Sequence, residues 1–474
     1  MAQVATTDNR NSIDWGKTDI NKLYLKILIP TLLGMVSTVV VTITDGYFVG
    51  QYAGSDALAA VNIAAPLFLI ATAFALMFGV GSSVVASVHI SQGKPKAANI
   101  NITQAIIVSE LLFILLSLFV FFNSEQVSVW FGATERLLPL VETYVRIITL
   151  SLIFYMMQNL GLFLIRLDGS PRFAMMCSLI PAVINIIADY LLVAHYDMGI
   201  KGAVIATASS FTIGGLMALG YLLFFSKTLK LYRLKLSTKS LRLTLRNISY
   251  MARLGFAAFL SEGAVAVMMF VGNGVFMNYY GEDGVAAYSV VCYYFPIIFM
   301  INNAISQSAQ PIISYNYGAA LSGRIKQAFR LTLIYGVSFS TIITIGVILA
   351  APSMVSLFLD SSYPAYAIAT KGLPYFAIGY VFFAVNMMYM GYFQSIEDYK
   401  SANYVSLLRG YLWLTICFYA LPALIGEMGV WLAVPLAEVI TFLILMISRL
   451  LFPRTPINNT KTTNTWTVTD GNDS

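Results

Sequence analysis

The chain repeats itself about halfway along, and each copy is a series of apolar segments long enough to cross a bilayer. Gly54-Ser55-Asp56-Ala57-Leu58-Ala59-Ala60 returns as Gly281-Glu282-Asp283-Gly284-Val285-Ala286-Ala287. Further on, Met198-Gly199-Ile200-Lys201-Gly202-Ala203-Val204 returns as Met428-Gly429-Val430-Trp431-Leu432-Ala433-Val434, so both matches are separated by almost the same length of chain. A near-constant offset argues duplication rather than chance. Membrane proteins built of two like halves keep a ligand site between or within them and work by rocking one half against the other. The pattern points to a transporter.

Composition agrees. The hydrophobic fraction is 58%, charged residues make up 11%, and mean hydropathy is +0.77, against about 25% charged residues in soluble domains. A water-soluble fold of this length has no place to hide that much apolar surface. Cys177, Cys292 and Cys417 sit singly in apolar runs and read as packing residues, and His89 and His195 are too far apart in sequence to suggest a metal site.

Windows of about 20 mostly apolar residues mark the spans. They fall near 24–50, 57–91, 97–122, 137–166, 172–195 and 199–226, then 248–278, 284–316, 326–351, 365–396, 400–424 and 429–451. The expected fold is therefore all-α, with twelve transmembrane helices in two six-helix repeats. An even number of spans per half makes the repeats parallel. The boundaries are an amino-terminal lobe over 1–226, a basic linker over 227–247, a carboxyl-terminal lobe over 248–452 and a polar, disordered tail over 453–474.

Orientation follows from Lys and Arg. The linker carries Lys227, Lys230, Arg233, Lys235, Lys239, Arg242 and Arg246 with no acid among them. On a twelve-span map it shares one face with both termini, and of the 28 basic residues only Arg136, Arg146, Lys201 and Lys371 fall on the other face. The positive-inside rule places linker and termini in the cytoplasm of an integral, multi-pass cell-membrane protein. The net charge of +6 needs no nucleic-acid partner, because anionic lipid against a basic cytoplasmic face accounts for it. Residues 1–20 lack the apolar core of a cleaved signal.

The chemistry is then sought among ionisable groups within the spans: Asp45, Glu110, Asp189, Glu262 and Glu438, with no Lys or Arg read as lying well inside one. An ionised Asp at a helix centre costs about 2.5–3.5 kcal/mol on insertion scales, so such acids are functional or hydrogen-bonded structure. Acids without bases favour protons, metal cations and organic cations and repel anions.

Two of the acids share a depth. Counted from Lys26 and from Arg172 at about 1.5 Å per residue, Asp45 and Asp189 both lie roughly 25–28 Å from the cytoplasmic face. Asn185 shares a helix face with Asp189, while Tyr144 and Thr207, early in the fourth and sixth spans, reach the same level. Two carboxylates with amide and hydroxyl oxygens make a hard-oxygen cage suited to Na+ or to a proton. In the second copy Asp45 falls on Gly272 and Asp189 on Tyr419, so this charge exists in one lobe only. Glu262 and Glu438 lie nearer mid-membrane, where they would meet the positive end of a substrate, and Glu110 reads as structural. Met268, Met269, Phe270, Tyr293, Met387 and Met388 would suit a pliable wall.

The run Thr44-Asp45-Gly46-Tyr47-Phe48-Val49-Gly50, then Ala57-Leu58-Ala59-Ala60-Val61-Asn62, resembles the first two helices of the multidrug and toxic compound extrusion (MATE) transporters. Asn185-Ile186-Ile187-Ala188-Asp189-Tyr190, Gly199-Ile200-Lys201-Gly202-Ala203-Val204-Ile205-Ala206-Thr207 and Gln310-Pro311-Ile312-Ile313-Ser314-Tyr315-Asn316-Tyr317-Gly318 extend the likeness in family order over about residues 22–451. The resemblance implies two six-helix lobes in a V around a central cavity, and secondary active export of organic cations in exchange for H+ or Na+. It implies a cation-coupling site at Asp45, Tyr144, Asn185, Asp189 and Thr207, and a helix-bending role for Pro30. It calls for no cofactor beyond the coupling ion and for a monomer in the membrane. Branches of the family with carboxyl-lobe acids match less well here: Glu262 stands about one turn from the usual place in the seventh helix, and the tenth shows Asn386 rather than an acid. Asn386 joins Glu262 and Glu438 as a candidate substrate contact.

Two other readings are weighed. A lipid-linked oligosaccharide flippase of the same superfamily would need buried bases to hold pyrophosphate. A membrane-embedded enzyme would need paired Asp on a cytoplasmic loop or His ligands, which the sequence does not supply.

Overall fold

The computed structural model describes residues 13–234 and 237–451. Lys235 and the tail over 453–474, both singled out above, lie outside the described residues. The described residues form helices joined by short turns and a non-helical linker, with no strand among them.

The amino-terminal lobe contains α1 (Ile20–Phe48), α2 (Ser55–Ser91), α3 (Pro95–Phe122), α4 (Leu138–Thr149 and Leu152–Leu167, bent by 52°), α5 (Pro171–Asp189) and α6 (Gly199–Gly220). A short helix, Ser124–Trp130, links α3 to α4. An 81-residue helix, Thr238–Gly318, then breaks at Gly281, where φ is +65°, and so supplies α7 over 238–280 and α8 over 282–318. The carboxyl-terminal lobe continues with α9 (Ser322–Val355), α10 (Pro364–Ala377 and Gly379–Ser395, bent by 41°), α11 (Tyr399–Leu407, Leu408–Leu412 and Trp413–Ile425) and α12 (Glu427–Leu451). Counting each bent pair once and dividing the long helix at Gly281 gives twelve spans among the described residues.

Local sequence explains the breaks. Gly54, with φ +89°, ends α1 where Gly281, its counterpart in the second copy, ends α7, and both take the left-handed conformation that glycine alone adopts without strain. The duplication is thus visible in the backbone. Pro95, Pro171 and Pro364 each open a helix, where the missing N–H costs nothing. The non-helical linker is shorter than 227–247, because α7 starts at Thr238 with its first turn capped by Ser237 on Ser240 N–H. The start of the linker is pinned to α4. The Asp168 carboxylate accepts from the N–H groups of Lys227, Thr228 and Leu229 and from the Tyr221 hydroxyl.

Each lobe has its own apolar core. One helix belongs to both. Trp15, Ile20, Leu23, Tyr24, Ile27 and Leu28 pack into the carboxyl-lobe core, whereas beyond Pro30 the helix lies on α5, with Gly34 against Ser178. The lobes close on each other at one end. A Cβ on Gly81 would stand 2.0 Å from the Met251 carbonyl oxygen, and one on Gly255 would stand 1.8 Å from that of Met77, so only glycine permits this crossing of α2 with α7. Ser87 to Pro311 O, Gln310 to Val80 O, Arg166 to Gln307 and Tyr24 to Ile305 O add hydrogen bonds at the same end. Among the described residues no hydrogen bond joins the lobes beyond the edge-to-face pair Phe74–Phe259.

Candidate functional site

Asp45 lies in the last turn of α1, and Asp189 is the last residue of α5. Both helices then widen into a π-helical turn, Val49–Ala53 and Tyr190–His195, with Phe48 edge-on to Tyr190 at 6.5 Å. Such turns re-aim side chains and recur at functional sites. The two carboxyl groups lie close enough to act on each other electrostatically, although three whole helices intervene between them in the chain.

Asp45 Oδ1, both oxygens of Asp189 and both polar atoms of Asn185 are buried without a hydrogen-bond partner. Asp189 and Asn185 are fully inaccessible. Tyr144 is buried beside both carboxyls, its hydroxyl within reach of Thr207, while Thr207 Oγ1 donates to Ala203 O at 3.1 Å. The five residues of the expected cation-coupling site therefore converge from α1, α4, α5 and α6. Buried polar atoms are rarely left unpaired, and two facing carboxylates cannot both stay ionised without something positive between them. A proton or a small hard cation fits this oxygen set. Among the described residues no cluster of three or more His, Cys, Asp or Glu occurs.

Pro30 is buried at the point where α1 passes from one lobe core to the other. A helix lacking one backbone hydrogen bond there bends at lower cost than elsewhere.

The carboxyl lobe is different. Glu262 is half-buried on α7 and close enough to Tyr155 of α4 to act on it electrostatically, so it faces the amino lobe. Glu438 is paired. Arg409 Nε donates to Glu438 Oε1 at 3.1 Å, and Asn386 Nδ2 donates to Oε2 at 2.7 Å and to the Glu438 carbonyl at 2.9 Å. The guanidinium also lies 4.5 Å from the centre of the Phe383 ring and donates to Met387 Sδ. Arg409 and Glu438 are each 4% exposed. This corrects the expectation that no base lies well inside a span. Arg409 sits in the π-helical turn Leu408–Leu412 in the middle of α11. Arg166 is a second buried base, held by Leu162 O and Gln307 Oε1. Sequence reasoning treated both as near helix ends. The signal that would have found Arg409 is its distance from either end of its span, together with the question of what neutralises Glu438.

Glu110, read as structural, has both carboxyl oxygens buried without a partner.

The MatE family model matches residues 30–191 and 257–418, two stretches offset just as the sequence repeat is, and the chain belongs to the MatE family. It is a multi-pass membrane transporter of twelve helices in two repeats. It is 22% identical over 435 residues to the multidrug export protein MepA of Staphylococcus saprophyticus, covering 91% of this chain and 94% of that protein. To an FAD transporter of Shewanella oneidensis it is 28% identical over 347 residues, 72% of this chain and 74% of that one. Its fold resembles that of a multidrug resistance MATE family transporter of the MOP superfamily in an outward-facing conformation, with TM-score 0.85, 20% identity and coverage of 94% and 98%. A MOP superfamily transporter from Pyrococcus furiosus superposes with TM-score 0.84 and 20% identity over 94% of this chain and all of that one.

Proposed function

We propose that this chain is a multidrug efflux transporter of the cell membrane that exports organic cations in exchange for H+ or Na+ by alternating access, with linker and termini in the cytoplasm. The observation that carries the reading is the facing pair of half-buried Asp45 and buried Asp189, beside buried Asn185, in which Asp45 Oδ1 and both Asp189 oxygens have no hydrogen-bond partner among the described residues. A coupling ion entering from outside neutralises the pair, and its loss restores the repulsion, so occupancy of this site changes the packing of α1 on α5. Pro30 lets that change bend α1 at the point where it crosses between lobes. Glu262, facing the cleft, supplies a counter-charge for the positive end of a substrate. Export by MepA supports the assignment of multidrug efflux.

The flippase reading is not favoured. MepA is a multidrug export protein and the Shewanella relative an FAD transporter, and both buried arginines are already engaged, Arg409 by Glu438 and Arg166 by Leu162 O and Gln307. Export of a cationic dye from everted vesicles under an imposed proton gradient and, separately, an imposed sodium gradient tests the reading and identifies the ion. Failure of both gradients to drive dye movement overturns it.

A further inference from the structure

An ion site in one lobe moves the other lobe only if something rigid joins them, and α1 is placed to do so. Its outer half carries Asp45 and lies on α5, while its root sits in the carboxyl-lobe core. Apolar packing of Leu23 and Ile27 there is non-directional and by itself lets a helix slide or turn. Hydrogen bonds fix the register. In the first turn of α9, Arg324 Nη2 donates to the carbonyl oxygens of Trp15 at 3.0 Å and Thr18 at 2.7 Å, and Nε donates to Asn316 Oδ1 at 2.9 Å. Asn316, fully buried near the end of α8, closes the ring by donating to Trp15 O at 3.3 Å and to Ile312 O at 2.8 Å. A guanidinium fork holding two backbone carbonyls and an amide at once sets position and angle together.

The clamped segment is itself stiff. Asp14 Oδ1 accepts from the N–H groups of Gly16 and Lys17, Asp14 O accepts from Thr18 N–H, and Trp15 is buried in the carboxyl-lobe core. Asp19 then caps α1 on Lys22 N–H, so no slack residue separates the clamp from the helix. One turn further on, the Tyr24 hydroxyl donates to Ile305 O at 2.8 Å and its ring stacks on Tyr335 of α9. The counterpart helix, α7, is also tied across to the opposite lobe, through Gln104 with Thr244 and Asn247, but it has Gly272 where α1 has Asp45. Of the two crossing helices, α1 alone therefore links an ion site to the opposite lobe.

We infer that Arg324 is a positioning residue for ion coupling: with Asn316 it anchors the root of α1 to the carboxyl lobe, so that an ion-dependent bend at Pro30 shifts that lobe instead of letting the root slip. This role rests on the exporter reading above.

Linkage supplies the test. An ion that shifts the lobes changes substrate affinity, by about 5–150-fold for couplings of usual size. Binding of the cationic dye rhodamine 123 to the full chain in lipid nanodiscs is followed by fluorescence anisotropy at low and neutral pH and, separately, in NaCl and in equal KCl. The ratio of the two affinities reads the coupling, and in wild type it should depart from one for at least one of the ions. Arg324→Gln should still bind the dye but bring that ratio close to one. Arg324→Lys keeps the charge without the fork, should retain only part of the coupling, and decides the matter if Arg324→Gln fails to fold. Lys326→Gln, which removes an exposed charge from the same end of α9, should keep the wild-type ratio. A wild-type ratio in Arg324→Gln, or in Arg324→Lys where that is the variant that folds, overturns the anchor and leaves the exporter reading standing, as does an equal loss in Lys326→Gln. A wild type whose dye affinity responds to neither ion overturns both.

Discussion

The two lobes each bury an acid, and they treat it in opposite ways. In the amino lobe Asp189 meets a second carboxyl, Asp45, and an amide, Asn185, whose polar atoms have no partner. In the carboxyl lobe Glu438 meets a guanidinium and an amide N–H, each at hydrogen-bond distance. Burial alone does not give a carboxyl its role; the role depends on whether the protein itself supplies the counter-charge. Where it does, the acid is held in place. Where it does not, the site stays open to an ion from solution.

The largest effect expected from this contrast is on transport. Asp45→Asn or Asp189→Asn should reduce gradient-driven dye export to the level of protein-free vesicles. Asn keeps the volume and a carbonyl oxygen but cannot exchange a proton or carry the charge that holds a cation. Folding should not suffer, because removing one of two repelling carboxyls relieves the native state. Near-normal export by both variants, or a collapse in their thermal stability, breaks the comparison.

The opposite outcome is expected for Glu438→Gln. It leaves the Arg409 guanidinium buried and unpaired, a loss of about 3–5 kcal/mol for a broken buried pair. Thermal unfolding in detergent should show a clear drop in midpoint. Replacing both partners, Arg409→Met with Glu438→Leu, should recover most of it, because an apolar pair carries no desolvation penalty. If the single and double variants unfold alike, the pair is not what stabilises this part of the carboxyl lobe.

Much of this contrast is legible in the sequence, and the illegible part has a physical cause. Asp45 and Asp189 are conspicuous because acids in apolar runs stand out, and equal helix depth can be counted from the basic residues that precede them. Arg409 hid because counting charge from span ends treats an Arg a few turns in as an end residue, although its partner Glu438 lies on another helix. The bend in α4 was not legible either, and that in α10 only in part. The first falls at Leu150-Ser151 without a proline, and the second at Ile378-Gly379, where Gly379 lies so close to Pro435 of α12 that a Cβ would stand 2.9 Å from its Cα. The second bend does carry a local mark, Pro374 one turn before it, whereas the first has none. The break at Gly281 is the converse case, announced by its match to Gly54.

A smaller effect is expected at Pro30, where the lobes share α1. Pro30→Ala restores a backbone hydrogen bond and stiffens the helix. Gradient-driven export should slow several-fold while rhodamine 123 affinity in nanodiscs stays unchanged, because the substitution acts on the bend and not on a substrate contact. An equal loss of affinity and rate would mean that Pro30 shapes the site itself.

The smallest effect compares the lobes at one matched position. Gly93 after α2 and Ala320 after α8 are counterparts in the two copies, and both hold positive φ, +71° and +62°. Each ends its helix in the left-handed conformation that closes the last turn, the first with the residue suited to it and the second with a residue that has a Cβ. A left-handed alanine costs about 1–2 kcal/mol relative to its preferred region. Ala320→Gly should therefore raise the thermal midpoint slightly, and Gly93→Ala should lower it by a similar amount, with export unaltered in both. The exposed Ala320 makes the first substitution free of packing changes. If Ala320→Gly destabilises the protein, the two helix ends are not equivalent, and the repeat at this point survives in sequence spacing but no longer in backbone energetics.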